Sequence, residues 1–241
     1  MLSEIFNKYH IELLNGLKKH IKKEGLQKPE SGNKYIGTKR IYYNIKTEVI
    51  NNLVKNWIKE HKNLGISEYT ELLNSLFKGE SHEESSLGGK LLGYLPKLRS
   101  ELNPQAIDKW LDNADGWAEV DCICQPNFTS KELLQKWIEW ENLISKFSTD
   151  KNVHKKRASL VLLTKPARQS DDSRISKLAF KNIEKLKGEK DILITKAVSW
   201  LLRDLIKNHR RQVEDYLSKK GDSLSKIAVR ETKKKLLTGR K

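Results

Sequence analysis

The chain of 241 residues holds two Cys, five Pro and one Met, and these scarcities exclude several classes of protein. Cysteines at positions 122 and 124 are too close together to staple separate segments, so no disulfide framework is available and a reducing compartment is expected. No apolar run approaches the ~18 residues of a membrane helix. The opening MLSEIFNKYH lacks the apolar core of a signal peptide. No Pro/Ser-rich linker interrupts the chain, and no Asn-Gly or Asp-Gly turn joins alternating strand-like runs. Collagen-like, secreted mini-protein and membrane classes are therefore set aside.

Several site chemistries are missing as well. There is no GxxxxGK[ST]; the LGGKLL stretch (Gly88, Gly89, Lys90) lies inside a helical pattern, where its glycines allow close helix packing. His82-Glu83-Glu84 begins like a zinc-protease motif, but no His follows at the required spacing. Cys122 and Cys124 are too tightly spaced for a zinc knuckle and read as small buried apolar residues. The acids Asp108, Asp112, Asp115, Glu119 and Asp121 invite a metal-dependent nuclease, yet several flank a helix break, where capping is the commoner role.

What the sequence does contain is positive charge, placed unevenly. Lys and Arg number 47 against 31 Asp and Glu, a net of +16. Residues 1–150 carry 21 basic and 21 acidic side chains, whereas residues 151–241 carry 26 and 10. Such asymmetry points to a polyanion, most economically nucleic acid; the plainer alternative is a soluble basic surface with no partner.

Apolar residues recur at helical spacing almost throughout. Ser67 precedes EYTELLNSLF, and Ser81 with Glu84 and Thr129 with Glu132 have capping-box spacing. Gly65, Gly79, Gly116, Gly188 and Gly221 follow or separate helical runs. Polar breaks centre near Glu80, Asp115, Asp150, Gly188 and Gly221, at intervals of 35, 35, 38 and 33. A period of that size is produced by stacked helix pairs, none of which can bury its apolar face alone. The expected fold is all-α: an α-solenoid of stacked antiparallel helix pairs forming one domain over 1–241. Residues 1–62 supply N-terminal helices with a basic, Gly-containing connection from Lys28 to Gly37. Residues 66–237 supply the helical hairpins, and 238–241 a basic tail.

Two constellations stand out. In GWAEVDCIC, Trp117 and Asp121 are four apart and share a helix face. Asp121 is surrounded by Val120, Cys122, Ile123 and Cys124, and a carboxylate there is costly to desolvate unless paired or functional. It is either a working acid or the polar stripe of a buried helix. In DILITKAVSWLLRDLIK the apolar stripe is Ile194, Ala197, Val198, Leu201 and Leu205. Trp200 lies off it, in line with Lys196, Arg203 and Lys207. An indole in a row of cations suits contact with nucleic-acid sugar or base, or packs beneath snorkelling Lys and Arg stems. Trp117, Asp121, Arg157, Trp200, Arg203 and Arg230 each fall on the helix that follows a break. In a stacked solenoid those helices form one wall, commonly the concave one, giving a C-shape with a basic concave face.

On these segments the sequence resembles the AlkD-like family of DNA alkylation-repair glycosylases, which are built from HEAT-like repeats. WAEVD resembles the family's Trp-x-x-x-Asp segment, with Trp117 and the catalytic Asp121. NVHKKRASLVLL resembles the segment whose Arg holds a DNA phosphate, here Arg157 beside Lys156. KAVSWLLRDLIK resembles the segment of the second active-site Trp, Trp200, with Arg203. RETKKKLL resembles the closing helix, with Arg230. The likeness runs over about residues 66–241; in 1–62 only YIGTKR, with Thr38 and Arg40, is similar, and Tyr35 has no aligned counterpart.

The resemblance implies excision of cationic N3- and N7-alkylpurines from duplex DNA by hydrolysis of the N-glycosidic bond. Asp121 would stabilise an oxocarbenium-like sugar and position water. Trp117 and Trp200 would flank the lesion, and Arg157, Arg203, Lys156, Lys196, Lys207, Arg230, Thr38 and Arg40 would hold DNA. It implies no metal or organic cofactor, no obligatory base flipping, a monomer, and cytoplasmic, nucleoid-associated action. The rival reading is a non-catalytic helical-repeat module binding nucleic acid; a protein-binding scaffold leaves the charge asymmetry unexplained.

Overall fold

Ser81 and Thr129 open their helices as their spacing predicts. Each hydroxyl accepts from the backbone N–H three residues on, and each Glu side chain returns to the cap backbone at 2.8 Å. The structure is a computed structural model describing residues 2–21, 36–125 and 127–240, with side chains from residue 8 onward. Tyr35 and most of the Lys28–Gly37 connection lie outside the described residues. Thirteen α-helices and one 3₁₀ turn account for the secondary structure, with a single isolated β-bridge between Ile41 and Ser81 and no strand among the described residues. The protein is all-α.

The helices are α1 (Leu2–Lys18), α2 (Thr47–Glu60), α3 (Ile66–Phe77), α4 (His82–Tyr94), α5 (Pro96–Glu101), α6 (Ala106–Asp112) and α7 (Trp117–Cys124). They continue with α8 (Ser130–Gln135), α9 (Trp137–Phe147), α10 (Val153–Gln169), α11 (Ser173–Leu186), α12 (Ile192–Lys220) and α13 (Lys226–Thr238). All five expected breaks fall between helices, at the α3/α4, α6/α7, α9/α10, α11/α12 and α12/α13 junctions. One start differs: α3 is capped by Gly65, not Ser67, with the Glu68 carboxylate accepting from the Gly65 N–H at 2.9 Å. Glu68 plays the part that Glu84 and Glu132 play in the other two boxes, while Gly65 offers no hydroxyl to the N–H three residues on.

The chain forms two units, Met1–Ile123 and Cys124–Lys241, with the division inside α7. In unit 1, α3 and α4 pack on each other and on α1 and α2. Tyr69, Leu72, Leu73, Leu76, Phe77, Leu87, Leu91 and Trp110 form its core. The glycines of LGGKLL make the close approaches the sequence called for. A Cβ on Gly88 would meet the Phe77 ring at 2.8 Å, and one on Gly89 would meet the Cys122 carbonyl oxygen at 2.6 Å. In unit 2, α10 lies between α9, α11 and α12, and α13 packs on α12. The expected stripe Ile194, Ala197, Val198, Leu201 and Leu205 is buried. Helix α12 kinks at His209 (φ −128°, ψ 33°), whose ring bonds the Ser170 carbonyl at 3.0 Å while Asn208 Nδ2 donates to the Ala167 carbonyl at 2.9 Å. The kink has a local cause: two side chains of α12 turn to satisfy the end of α10.

Candidate active site and nucleic-acid contacts

Helix α7 begins at Trp117, and Asp121 follows one turn later. Both are half-buried, while Val120, Ile123 and Cys124 are closed into the interior. Trp117 and Asp121 therefore lie, with Ala118 and Cys122, on the partly open side of the helix, opposite the buried Glu119, Val120, Ile123 and Cys124. Cys122 is inert beside them, its thiol pushed up to about 11 by burial.

The start of α7 is clamped by the 36–45 segment. Gly37 has φ +70°, and a Cβ on it would meet Trp117 Cδ1 at 3.0 Å. A Cβ on Gly116 would run into the Gly37 carbonyl oxygen. Backbone meets backbone here, and only two glycines permit it. Thr38 Oγ1 donates to Glu119 Oε1 at 2.7 Å and to Asp115 Oδ2 at 3.3 Å, and the Lys39 N–H also reaches Asp115. Arg40 donates to the carbonyls of Phe77, Gly79 and Asn113, with Nε 3.3 Å from Glu119 Oε2. Thr38 is 3% exposed, so Thr38 and Arg40 turn toward the protein and fasten this segment over Trp117.

Glu119 is the hub of that clamp. It also accepts from the Asp115 N–H at 3.0 Å, and burial raises its carboxyl above the ordinary range. Nearby, burial and the Arg40 charge push His82 down to about 4, so its ring is neutral near pH 7. Asp115 and Glu119 thus act within the protein, and no cluster of metal-ligating side chains occurs among the described residues.

In unit 2 the second constellation sits on α12. Trp200 is half-buried, and Lys196 and Lys207 on its stripe are exposed. Asp204 follows one turn on. Asp204 is 5% exposed and takes Arg168 Nη1 of α10 at 2.8 Å; burial raises its carboxyl despite this partner. Arg203 turns inward: Nε donates to the Ser199 carbonyl at 3.1 Å, and Nη2 lies 3.4 Å from Glu231 of α13. Ser199 Oγ donates to the same Glu231 carboxylate at 2.6 Å.

Arg157 is also drawn in. It is 5% exposed, and Nη1 donates to the Leu193 carbonyl at 2.8 Å, tying α10 to the first turn of α12. Lys156 is half-buried and paired with Glu189, and Arg230 is exposed on α13. The expected contacts therefore divide into exposed cations (Lys196, Lys207, Arg230) and cations engaged inside the fold (Arg157, Arg203, Arg40, and in part Lys156). Asp204, Arg168 and Glu231 were not singled out from the sequence. A signal for Asp204 was present: Trp200-x-x-x-Asp204 repeats the spacing of Trp117-x-x-x-Asp121.

The family model for DNA alkylation repair enzymes matches residues 15–236. Among solved structures, one described as "Predicted DNA alkylation repair enzyme from Enterococcus faecalis" superposes with a TM-score of 0.70 over 86% of this chain and 93% of that one, at 18% identity. At that identity the likeness shows a shared fold. No curated protein matches the sequence. With the family model spanning both Trp-x-x-x-Asp segments and nearly the whole helical array, this chain belongs to the DNA alkylation repair enzyme family.

Proposed function

We propose that the protein is a DNA glycosylase that releases cationic N3- or N7-alkylpurines from duplex DNA. The observation that carries this reading is the Trp117–Asp121 pair: an acid and an indole, one turn apart and both partly open, on a helix whose opposite side is buried. A carboxylate at that position repels phosphate and is of little use to a module that only binds DNA. It is useful where positive charge develops.

Alkylation makes the purine a good leaving group, so no strong general acid is needed. As the C1′–N bond breaks, the base leaves with the bonding electrons and the deoxyribose becomes oxocarbenium-like. Asp121 stabilises that charge and takes the proton of the attacking water. Trp117 and Trp200 each offer an electron-rich face to cationic sugar or base. Lys196, Lys207 and Arg230 meet phosphates from the solvent side, and Arg157, Arg203 and Lys156 add charge from just beneath it. Thr38 and Arg40 contribute by holding the 36–45 segment over Trp117. The chemistry calls for neither a metal nor an organic cofactor, and one molecule suffices for one lesion.

The test is release of methylated purines from alkylated duplex by wild type and by Asp121→Asn. Release by wild type alone supports the reading. No release by either, with salt-sensitive DNA binding retained, replaces it with a non-catalytic nucleic-acid-binding module.

A further inference from the structure

Unit 2 carries a groove that the proposed reaction does not use. Beyond the kink at His209, the second half of α12 lies alongside α11, and the two helices border a cavity of about 740 Å³. Its floor is a pair of rings: Phe180 and Tyr216 meet at 5.0 Å between centroids, tilted by 38°. Both are half-buried, so aromatic surface remains open to the groove. The Tyr216 hydroxyl donates to Glu184 Oε1 at 2.6 Å, and Lys187 Nζ lies 2.9 Å from the other oxygen of that carboxylate. The Tyr216 ring is thereby held at its far edge, and the Glu184 charge is already answered. Around this floor stand four exposed lysines. Lys177 and Lys181 are one turn apart on α11, and Lys219 and Lys220 close α12. The ring contact alone would join the two helices; nothing in it calls for cations on both sides, and their mutual repulsion opposes gathering them there.

We propose that this groove binds an unpaired nucleic-acid strand, with bases lying on the Phe180 and Tyr216 rings and phosphates held by the lysines. A duplex keeps its bases paired inside and would meet only the lysines. An acidic peptide would likewise engage the charge and leave the rings idle. An unpaired strand offers phosphates and π-faces in alternation, and so uses both halves of the groove. Lysine suits the backbone: a point charge on a flexible stem follows phosphate without choosing a base. Lys196, Trp200 and Lys207 lie before the His209 kink and the groove lies after it, so the two use separate stretches of α12. The inference stands apart from the glycosylase reading, because it involves none of the residues assigned to base release.

The test titrates the full chain into a fluorescent oligothymidylate of about eight residues and follows anisotropy. Binding should saturate. Phe180→Leu, which keeps an apolar contact with Tyr216 and removes one π-face, should weaken it by roughly 5- to 150-fold. Lys181→Ala and Lys219→Ala should each lower the slope of log affinity against log salt by about 0.7. Duplex affinity should stay the same in all three variants. Absence of saturable binding overturns the proposal, as does an unchanged affinity in Phe180→Leu. Equal losses for duplex and single strand make the groove a general electrostatic surface and overturn it too. An oligoglutamate of equal length that displaces the strand as readily as unlabelled oligothymidylate assigns the groove to an acidic protein segment instead. If Phe180→Leu does not fold, photocrosslinking of wild type to a bromouracil-substituted strand decides. Adducts on the peptides of Phe180 or Tyr216 support the site, and adducts confined to other peptides overturn it. No readout here involves base release, so an inactive wild type would refute the glycosylase reading and leave this result standing.

Discussion

The two units bury charges of opposite sign. In unit 1 the buried ionisable groups are chiefly acids: Glu83, Glu84 and Glu119 are at most 4% exposed. They accept from backbone and side-chain donors of the loops, as Glu83 does from the Tyr43 and Ile45 N–H groups. In unit 2 they are chiefly bases, Lys155, Arg157 and Arg203, and the two arginines donate to the carbonyls of Leu193 and Ser199. Unit 1 is nearly neutral, with 18 basic and 17 acidic side chains, and unit 2 holds 29 and 14. Net charge alone suggests that every Arg of unit 2 faces a polyanion. The structure shows instead that Arg157 and Arg203 work within the helix array, while Arg174, Arg210, Arg211 and Arg230 are exposed among solvent-facing lysines that include Lys177, Lys181, Lys196, Lys207, Lys219 and Lys220.

The sharpest ways to break this comparison are two variants in unit 1. Asp121→Asn should lower base release by about 1,000-fold, the loss seen when one preorganised electrostatic group is removed, with duplex affinity unchanged. A matching loss of affinity would move Asp121 from chemistry to binding. Unit 1's buried chain can be tested by pH. His82 titrates near 4 in the folded protein against 6.5 in the unfolded one, so the unfolded state takes the proton first. The stability lost should be nil above about pH 7, accumulate as pH falls through 6.5, and level off below 4 at no more than roughly 3 kcal/mol. Urea midpoints of wild type and His82→Gln measured between pH 7 and 4 should diverge accordingly; parallel curves would exclude a buried neutral His82.

Smaller effects sharpen the contrast. Gly116→Ala forces a Cβ onto the Gly37 carbonyl and should cost about 1–3 kcal/mol. Gly188→Ala, with nothing within 4 Å of its Cβ, should cost none of that clash energy. Equal shifts in thermal midpoint would deny the glycine contact its role. Least of all in energy, Lys196→Ala and Lys207→Ala should each lower the salt slope of duplex binding by about one. If Arg157→Ala leaves the slope alone and lowers the midpoint instead, Arg157 is a brace between α10 and α12.

Local pattern carried most of the fold. The five helix breaks, two capping boxes and the buried stripe of α12 were all legible, because caps and i,i+4 faces depend on residues within a turn of one another. The exception at α3 is a competition between Ser67 and Glu68, which propensity does not resolve. Both aromatic–acid pairs were likewise visible as spacings, but only Asp121 drew notice. What made Asp204 a different kind of acid was Arg168, 36 residues earlier in the chain, and no local pattern announces such a partner. For the same reason the inward turn of Arg203 toward Glu231, and of Thr38 and Arg40 toward Glu119, could not be read in advance. A basic residue beside an aromatic looks the same in sequence whether its guanidinium meets phosphate or a carbonyl.

The kink at His209 has a kinetic consequence. The carbonyls of Ala167 and Ser170 at the end of α10 have their partners not in their own helix but in Asn208 and His209 of α12. Neither segment can loosen without stripping bonds from the other, so the last turn of α10 and the middle of α12 should open as one unit. Their amides, some 40 residues apart in sequence, should exchange with deuterium at matching rates. Asn208→Ala should accelerate both together, making the two stretches a single cooperative element.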